Sequence, residues 1–180
     1  MSRIFSLFIL SIAFAGSALA TVERCFVEGE YQEYPVEHPL CLFYTGTEHY
    51  RNGDYRNAGN KWEELLSLNP IPEEYRDLLI DANNNLGYLY FHGYGVNSDV
   101  EKGIAHWLEA VAAGHDESEY HLCYAYGDPE FVSYAPEKAL RHCERAEEIY
   151  TGKPDHEEGD EEVLMIIKRY KTDLQAILRE

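Results

Sequence analysis

The chain has 180 residues and a net charge of -18, from 15 basic and 33 acidic residues. Nucleic acids and anionic membranes bind proteins through clustered Lys and Arg, so this balance argues against both as partners. A protein partner is electrostatically allowed, including a basic one.

The first 20 residues have the pattern of a secretory signal peptide. Arg3 precedes an apolar run from Ile4 to Phe14, and Ala18-Leu19-Ala20 has the small-x-small pattern of a signal peptidase site. An uncleaved anchor is the weaker alternative, because the apolar run is shorter than the ~20 residues that a span needs. We therefore predict that residues 1–20 are cleaved, that no membrane span remains, and that the mature protein is periplasmic or secreted.

Four cysteines follow the signal peptide: Cys25, Cys41, Cys123 and Cys143. Export places them where disulfides persist, and an even count fits two bridges. The sequence alone permits three connectivities for four cysteines.

Residues 53–70, GDYRNAGNKWEELLSLNP, have small and large apolar residues at the spacing of a helical hairpin. This stretch resembles the second half of a tetratricopeptide repeat. Residues 42–52, before Gly53, have helical spacing but match the first half of such a repeat less well.

Residues 82–114 follow the pattern A-x3-L-G-x2-Y-x2-G-x-G-V-x2-D-x2-K, and then A and G. This pattern resembles a Sel1-like repeat, a close relative of the tetratricopeptide unit. Gly93 and Gly95 are spaced to turn the chain between two helices, and Asp99 can cap the second helix. Leu86 and Tyr90 lie one turn apart on a predicted buried face. A phosphate-binding loop is not favoured, because its glycines would follow a strand and precede a helix.

A second, degenerate unit follows this repeat. When the two units are aligned, Cys123 falls at the place of Gly87 and Cys143 at the place of Trp107. The resemblance to cysteine-containing Sel1-like proteins implies that Cys123 and Cys143 face each other and bridge the two helices of the unit. Cys25 and Cys41 are then the second pair.

The end of the chain divides into an acidic stretch and an amphipathic helix. Residues 154–162, PDHEEGDEE, are predicted to be a solvated linker, because they lack the residue order of an EF-hand calcium loop. The following helix has a predicted apolar stripe and a basic outer face. The stripe comprises Val163, Ile166, Ile167, Tyr170, Leu174 and Ile177 or Leu178, and the basic face comprises Lys168, Arg169, Lys171 and Arg179.

These features predict an all-α fold, an α-α superhelix built as a short solenoid of antiparallel helix pairs with a C-terminal capping helix. The predicted order is a signal peptide (1–20), an extended N-terminal segment (21–39), a TPR/Sel1-like helical array (40–152), an acidic linker (153–162) and a capping helix (163–180).

The sequence contains no G-x-S-x-G or H-E-x-x-H motif, and we predict neither enzymatic activity nor a cofactor. His121 and His142 lie beside cysteines, which could suggest zinc, but residues one or two apart on a helix point to different faces. We therefore predict no metal site.

The resemblance implies a protein-binding scaffold or adaptor in the cell envelope. One alternative is an immunity protein that neutralises a periplasmic toxin, and another is a hydrolase acting on cell-wall or β-lactam substrates. The chain has 15 tyrosines, a residue type favoured at interfaces, although packing between repeats would explain them equally well. The candidate partner-binding residues are Tyr88, Tyr94, Tyr124 and Tyr134.

Overall fold

The structure is a computed structural model that describes residues 22–27, 30–154 and 159–179. The predicted signal peptide, residues 1–20, lies outside the described residues. Within the described part of the chain, no helix has the length and apolar character needed to cross a bilayer.

The described chain forms a β-hairpin followed by helices. The antiparallel strands are β1 (Val22–Val27) and β2 (Glu30–Pro35), with Cys25 opposite Gln32. The helices are α1 (Pro39–Arg51), α2 (Tyr55–Ser67), α3 (Arg76–His92), α4 (Val100–Ala112), α5 (Asp116–Gly127), α6 (Pro136–Gly152) and α7 (Asp160–Ile177), with a short 3-10 helix at Glu73–Tyr75 between α2 and α3.

The helices pack as successive pairs, α1 with α2, α3 with α4 and α5 with α6, and α7 covers the last pair. The predicted all-α superhelix is therefore confirmed. The predicted extended N-terminal segment contains the two paired strands, and β1 packs on α1.

Local sequence signals set the helix ends. The carboxylates of Asp54 and Asp99 accept hydrogen bonds from the backbone N–H of Asn57 and Lys102, and so cap α2 and α4.

A glycine of the first helix faces a tryptophan of the second helix in two of these pairs. A methyl group added at Gly87 would lie 2.5 Å from Nε1 of Trp107, and one added at Gly46 would lie 2.6 Å from Nε1 of Trp62. Both indoles are fully buried. Burying a ring this large requires the partner helix to approach without a side chain of its own.

In the third pair a disulfide occupies the same place. Cys123 on α5 is bonded to Cys143 on α6, with Cα atoms 4.7 Å apart. Cys25 on β1 is bonded to Cys41 on α1, with Cα atoms 5.4 Å apart, and this bond joins the hairpin to the helices. All four cysteines are bonded, so the chain has no free thiol.

The predicted burial of the central repeat does not hold at Tyr90. Leu86 is buried as predicted, whereas Tyr90 is only half-buried. Its hydroxyl donates to the Glu63 carboxylate, and the Lys102 ammonium lies 3.6 Å from its ring centroid. A tyrosine can leave the core in this way because its hydroxyl reaches polar partners at the rim.

The capping helix begins earlier than predicted, at Asp160 instead of residue 163. Acidic residues are favourable in a first helical turn because they interact with the positive end of the helix dipole. Asp160 itself is buried, and its carboxylate accepts a hydrogen bond from Lys153 at 2.9 Å. This part of the predicted solvated linker is therefore packed against the end of α6.

The predicted stripe of α7 is buried at its centre and exposed at its end. Ile167 and Leu174 are fully buried, whereas Ile177 and Leu178 are exposed. Lys171, assigned to the outer face, instead bonds Glu147 on α6 and is half-buried. An ideal helical periodicity predicts one continuous stripe, but the angle at which α7 crosses α6 decides which of its ends meets the core.

Candidate functional site

Aromatic side chains from successive helix pairs form a continuous line in this fold. We call it the aromatic row, and it comprises Tyr50, Tyr55, Tyr94, Tyr88, His92, Tyr124 and Tyr170.

The row begins where the first two helix pairs meet. Tyr50, near the end of α1, contacts Tyr55 at the start of α2, with ring centroids 5.2 Å apart. Tyr55 stacks on Tyr94, also at 5.2 Å. Tyr94 in turn lies 5.7 Å from Tyr88 and 5.6 Å from His92. These separations are within the range in which aromatic pairs attract one another.

The row continues onto the third pair and the capping helix. Tyr88 and His92 are one turn apart on α3, with centroids 4.5 Å apart. His92 stacks on Tyr124 of α5 at 6.4 Å, and Tyr124 meets the edge of Tyr170 on α7 at 6.1 Å. The rings therefore link α1, α3, α5 and α7, the first helix of each pair and the cap.

Backbone geometry places Tyr94 within the row. It follows Gly93, which ends α3 in the left-handed conformation with φ 74°. Gly95 is also left-handed, with φ 70°, and lies against the backbone of Arg56. This close approach requires a residue without a side chain. It brings the α3–α4 connection, and Tyr94 with it, onto Tyr55.

The row has one side on the core and one side in solvent. Phe91 and Phe131 pack beneath it, and Phe131 lies 5.0 Å from Tyr124. Tyr94 is 40% exposed, and Tyr88, His92 and Tyr124 are half-buried. Partly exposed rings of this kind offer contact area that is already ordered before binding.

Tyr88, His92, Tyr124 and Tyr170 have pKa values shifted in the direction that favours their uncharged forms. Burial raises the pKa of Tyr88 and Tyr124 above the ordinary tyrosine value. Burial, together with nearby Asp128 and Tyr124, raises the pKa of Tyr170 to about 12. Burial also lowers the pKa of His92, and the nearby His121 lowers it further. The row thus contains no Asp, Glu, Lys or Arg, on a protein of strong negative charge.

The structure brings three of the four tyrosines suggested by the sequence into this row: Tyr88, Tyr94 and Tyr124. Tyr134 lies in the α5–α6 connection, and in the described chain no ring pair joins it to the row. Sequence reasoning missed Tyr50, Tyr55, His92 and Tyr170. The four-residue spacing of Tyr88 and His92 was a usable signal, but the other three lie on separate elements.

The two histidines beside cysteines have different partners. His121 stacks on Trp107 at 4.9 Å and pairs with Glu117 at 3.6 Å. His142 Nδ1 lies 2.6 Å from a Glu119 carboxylate oxygen. Among the described residues no group of three or more metal-ligating side chains comes together.

The Sel1 repeat family matches this chain at residues 80–115 and 116–148. The chain carries two Sel1 repeats. They correspond closely to α3–α4 and α5–α6, the pairs that contain Trp107 and the Cys123–Cys143 bond. The α1–α2 pair lies outside the matched residues, although its Gly46–Trp62 contact is the same. No curated protein and no solved structure matches the chain.

Sel1 repeats generally mediate protein–protein interactions, and their helical fold is typically a non-catalytic interaction module. The row crosses both Sel1 repeats and extends onto the helix pair before them and the helix after them. The arrangement is therefore suited to contact with a partner along several repeats at once.

Proposed function

We propose that this protein is an exported, periplasmic interaction scaffold that binds a protein partner along the aromatic row. The observation that carries the proposal is the continuity of the row, from Tyr50 through Tyr94 and Tyr124 to Tyr170. A surface that runs over successive repeats is how repeat proteins bind extended partners.

The chemistry of the row supports a partner with a basic segment. Neutral aromatic faces attract Lys and Arg through cation–π contacts, and guanidinium groups stack well on tyrosine. The net charge of -18 would steer a positively charged partner toward the protein. The two disulfides are compatible with an oxidising, extracytoplasmic compartment.

The test is capture of a partner from the native envelope fraction by residues 21–180 and by a row variant, Tyr94→Ala/Tyr124→Ala. The matched control, Leu108→Ala/Met165→Ala, removes exposed apolar side chains from α4 and α7 outside the row. We expect the row variant to bind the captured protein about tenfold or more weakly, as for interface hot spots, and the control to bind normally. Equal binding by both variants, with both folded, would overturn the proposal.

The acidic charge also favours a second candidate, an immunity protein that neutralises a basic periplasmic toxin. A toxin-binding protein would abolish the activity of the captured partner at a one-to-one ratio. A scaffold would leave that activity unchanged. The association rate is expected to fall steeply with added salt if charge steers the encounter.

A further inference from the structure

A cavity of about 510 Å³ lies between the start of α5, the end of α6 and the start of α7. Its polar lining comes from Glu117 and Tyr120 on α5, Tyr150 and Lys153 at the end of α6, and Asp160 and Glu162 on α7. Val163 and Ile166 line an apolar wall. The aromatic row does not include these residues.

Tyr150 is the notable polar group of this cavity. The residue is 5% exposed, yet it lines the cavity, and no described residue forms a hydrogen bond with its hydroxyl. The hydroxyl is not sealed in the core, and it reaches the solvent that fills the cavity. Burial, together with Glu117 and Asp160, raises its pKa to about 12. The hydroxyl therefore stays protonated, and its oxygen is available as an acceptor.

The charges around this hydroxyl favour a cation. Glu117 accepts a hydrogen bond from Asn84 at 3.2 Å and pairs with His121, which holds the pKa of its carboxyl below the ordinary value. Glu162 adds a second carboxylate. Lys153 neutralises Asp160, since its ammonium lies 2.9 Å from that carboxylate. Lys153 is thus engaged by Asp160, and two further carboxylates remain at the cavity, Glu117 with His121 as its partner and Glu162 in an exposed position.

The position of Lys153 indicates what kind of cation suits this environment. Its ammonium lies 4.3 Å from the ring centroid of Tyr150, within the range of a cation–π contact. The ring therefore already accommodates one ammonium group on its face, while the hydroxyl oxygen is unused. The apolar wall of Val163 and Ile166 is suited to the methylene groups that carry such a cation.

We propose that this cavity binds an organic cation, an alkylammonium or guanidinium group, with the Tyr150 oxygen accepting a hydrogen bond from it and Glu117 and Glu162 balancing its charge. The cation is either a free amine or the side chain of a lysine or arginine on a partner. The site does not depend on the aromatic row.

The first experiment titrates residues 21–180 with n-butylammonium chloride and with methylguanidinium chloride by calorimetry. We expect saturable binding of the cations and none of n-butanol, which has the same alkyl chain without the charge. A Tyr150→Phe variant keeps the ring and removes only the hydroxyl, and we expect about tenfold weaker binding, the effect of losing one hydrogen bond to a charged group.

The matched control is Tyr126→Phe. Tyr126 is nearly as buried, at 7% exposed, and the hydrogen bonds of the described chain do not include its hydroxyl, but it does not line this cavity. This variant must bind the cations normally. Glu162→Gln, an exposed position, tests the charge without disturbing the core and should weaken binding, more so at low salt.

The source of the cation is tested with a Gly-Lys-Gly peptide blocked at both ends. Tighter binding than n-butylammonium indicates a partner's side chain, and exclusion of the peptide indicates a free amine. Absence of saturable cation binding, or equal binding by wild type, Tyr150→Phe and Glu162→Gln, would overturn the inference. The Tyr94→Ala/Tyr124→Ala variant must still bind the cations. The cation site is therefore tested independently of the proposed partner surface.

Discussion

Gly95 connects backbone geometry to the candidate site. Its φ of 70° is in the left-handed region, and a methyl group added there would collide with the backbone nitrogen of Arg56. Backbone atoms cannot move aside as the end of a flexible side chain can. The contact holds the α3–α4 connection against the start of α2, where Tyr94 stacks on Tyr55.

The exchange Gly95→Ala is expected to cost about 2–4 kcal/mol in free energy of unfolding, from left-handed strain and overpacking together. Gly114→Ala is the matched control. Gly114 is also left-handed, with φ 97°, but no atom of the described residues lies within 4 Å of an added methyl group, so strain of about 1 kcal/mol is its whole cost. Urea unfolding of both variants measures the difference. Equal losses would show that the close approach to Arg56 contributes nothing.

Each helix pair has one close contact between its two helices. Glycine and tryptophan form it in the first two pairs, and a disulfide forms it in the third. In the first two pairs the tryptophan indole is buried and donates to a backbone carbonyl of the facing helix, Trp62 to Phe43 at 3.3 Å and Trp107 to Asn84 at 3.1 Å. In the third pair the Cys123–Cys143 bond takes the place of the glycine and the ring. A covalent bond can replace the buried area of a tryptophan because it restricts the unfolded chain.

The two disulfides are expected to stabilise different parts of the protein. Replacing Cys123 and Cys143 with alanine should lower the free energy of unfolding by about 3 kcal/mol, because the bond restricts the unfolded chain, and the loss should be global because both residues lie in the core formed by α3 to α7. Replacing Cys25 and Cys41 should raise hydrogen exchange mainly in the β-hairpin, which packs on α1. Thermal unfolding and exchange mass spectrometry distinguish the two. Equal global destabilisation by both pairs would contradict this assignment.

Three histidines with lowered pKa values make the stability of the whole protein depend on pH. Burial lowers the pKa of His38, His92 and His106 below the ordinary value of 6.5. The unfolded chain therefore binds more protons than the folded chain as pH falls through and below 6.5. The carboxyls of Glu63 and Glu117 have lowered pKa values as well, and they extend the same trend below 4.5.

We therefore expect the midpoint of thermal unfolding to be lower at pH 5.5 than at pH 7.5. Acid also reduces the negative charge of the chain and its self-repulsion, which acts in the opposite direction. Melts at high salt suppress that repulsion and isolate the histidine contribution. His92→Gln, which cannot be protonated, should reduce the drop. Identical midpoints at the two pH values in high salt would refute the expectation.

Much of the fold was accessible from local patterns. The caps at Asp54 and Asp99, the turn glycines and the four-residue apolar spacing each depend on residues within one or two helical turns. Such interactions act between near neighbours in the chain, so the helix pairs and the repeat family could be predicted from the order of residues alone. The alignment of the two repeats likewise placed Cys123 opposite Cys143.

The places where the aromatic residues meet depend on the packing of the helices and could not be predicted from local patterns. Tyr55, Tyr94 and Tyr124 lie on different elements, and their contacts depend on how each helix crosses the next. The same packing leaves Tyr134 out of the row and turns Lys171 toward α6. The periodicity of a helix specifies which face of that helix is apolar. It does not specify the angle or register at which a distant helix lies against that face, because side chains from both helices set them together.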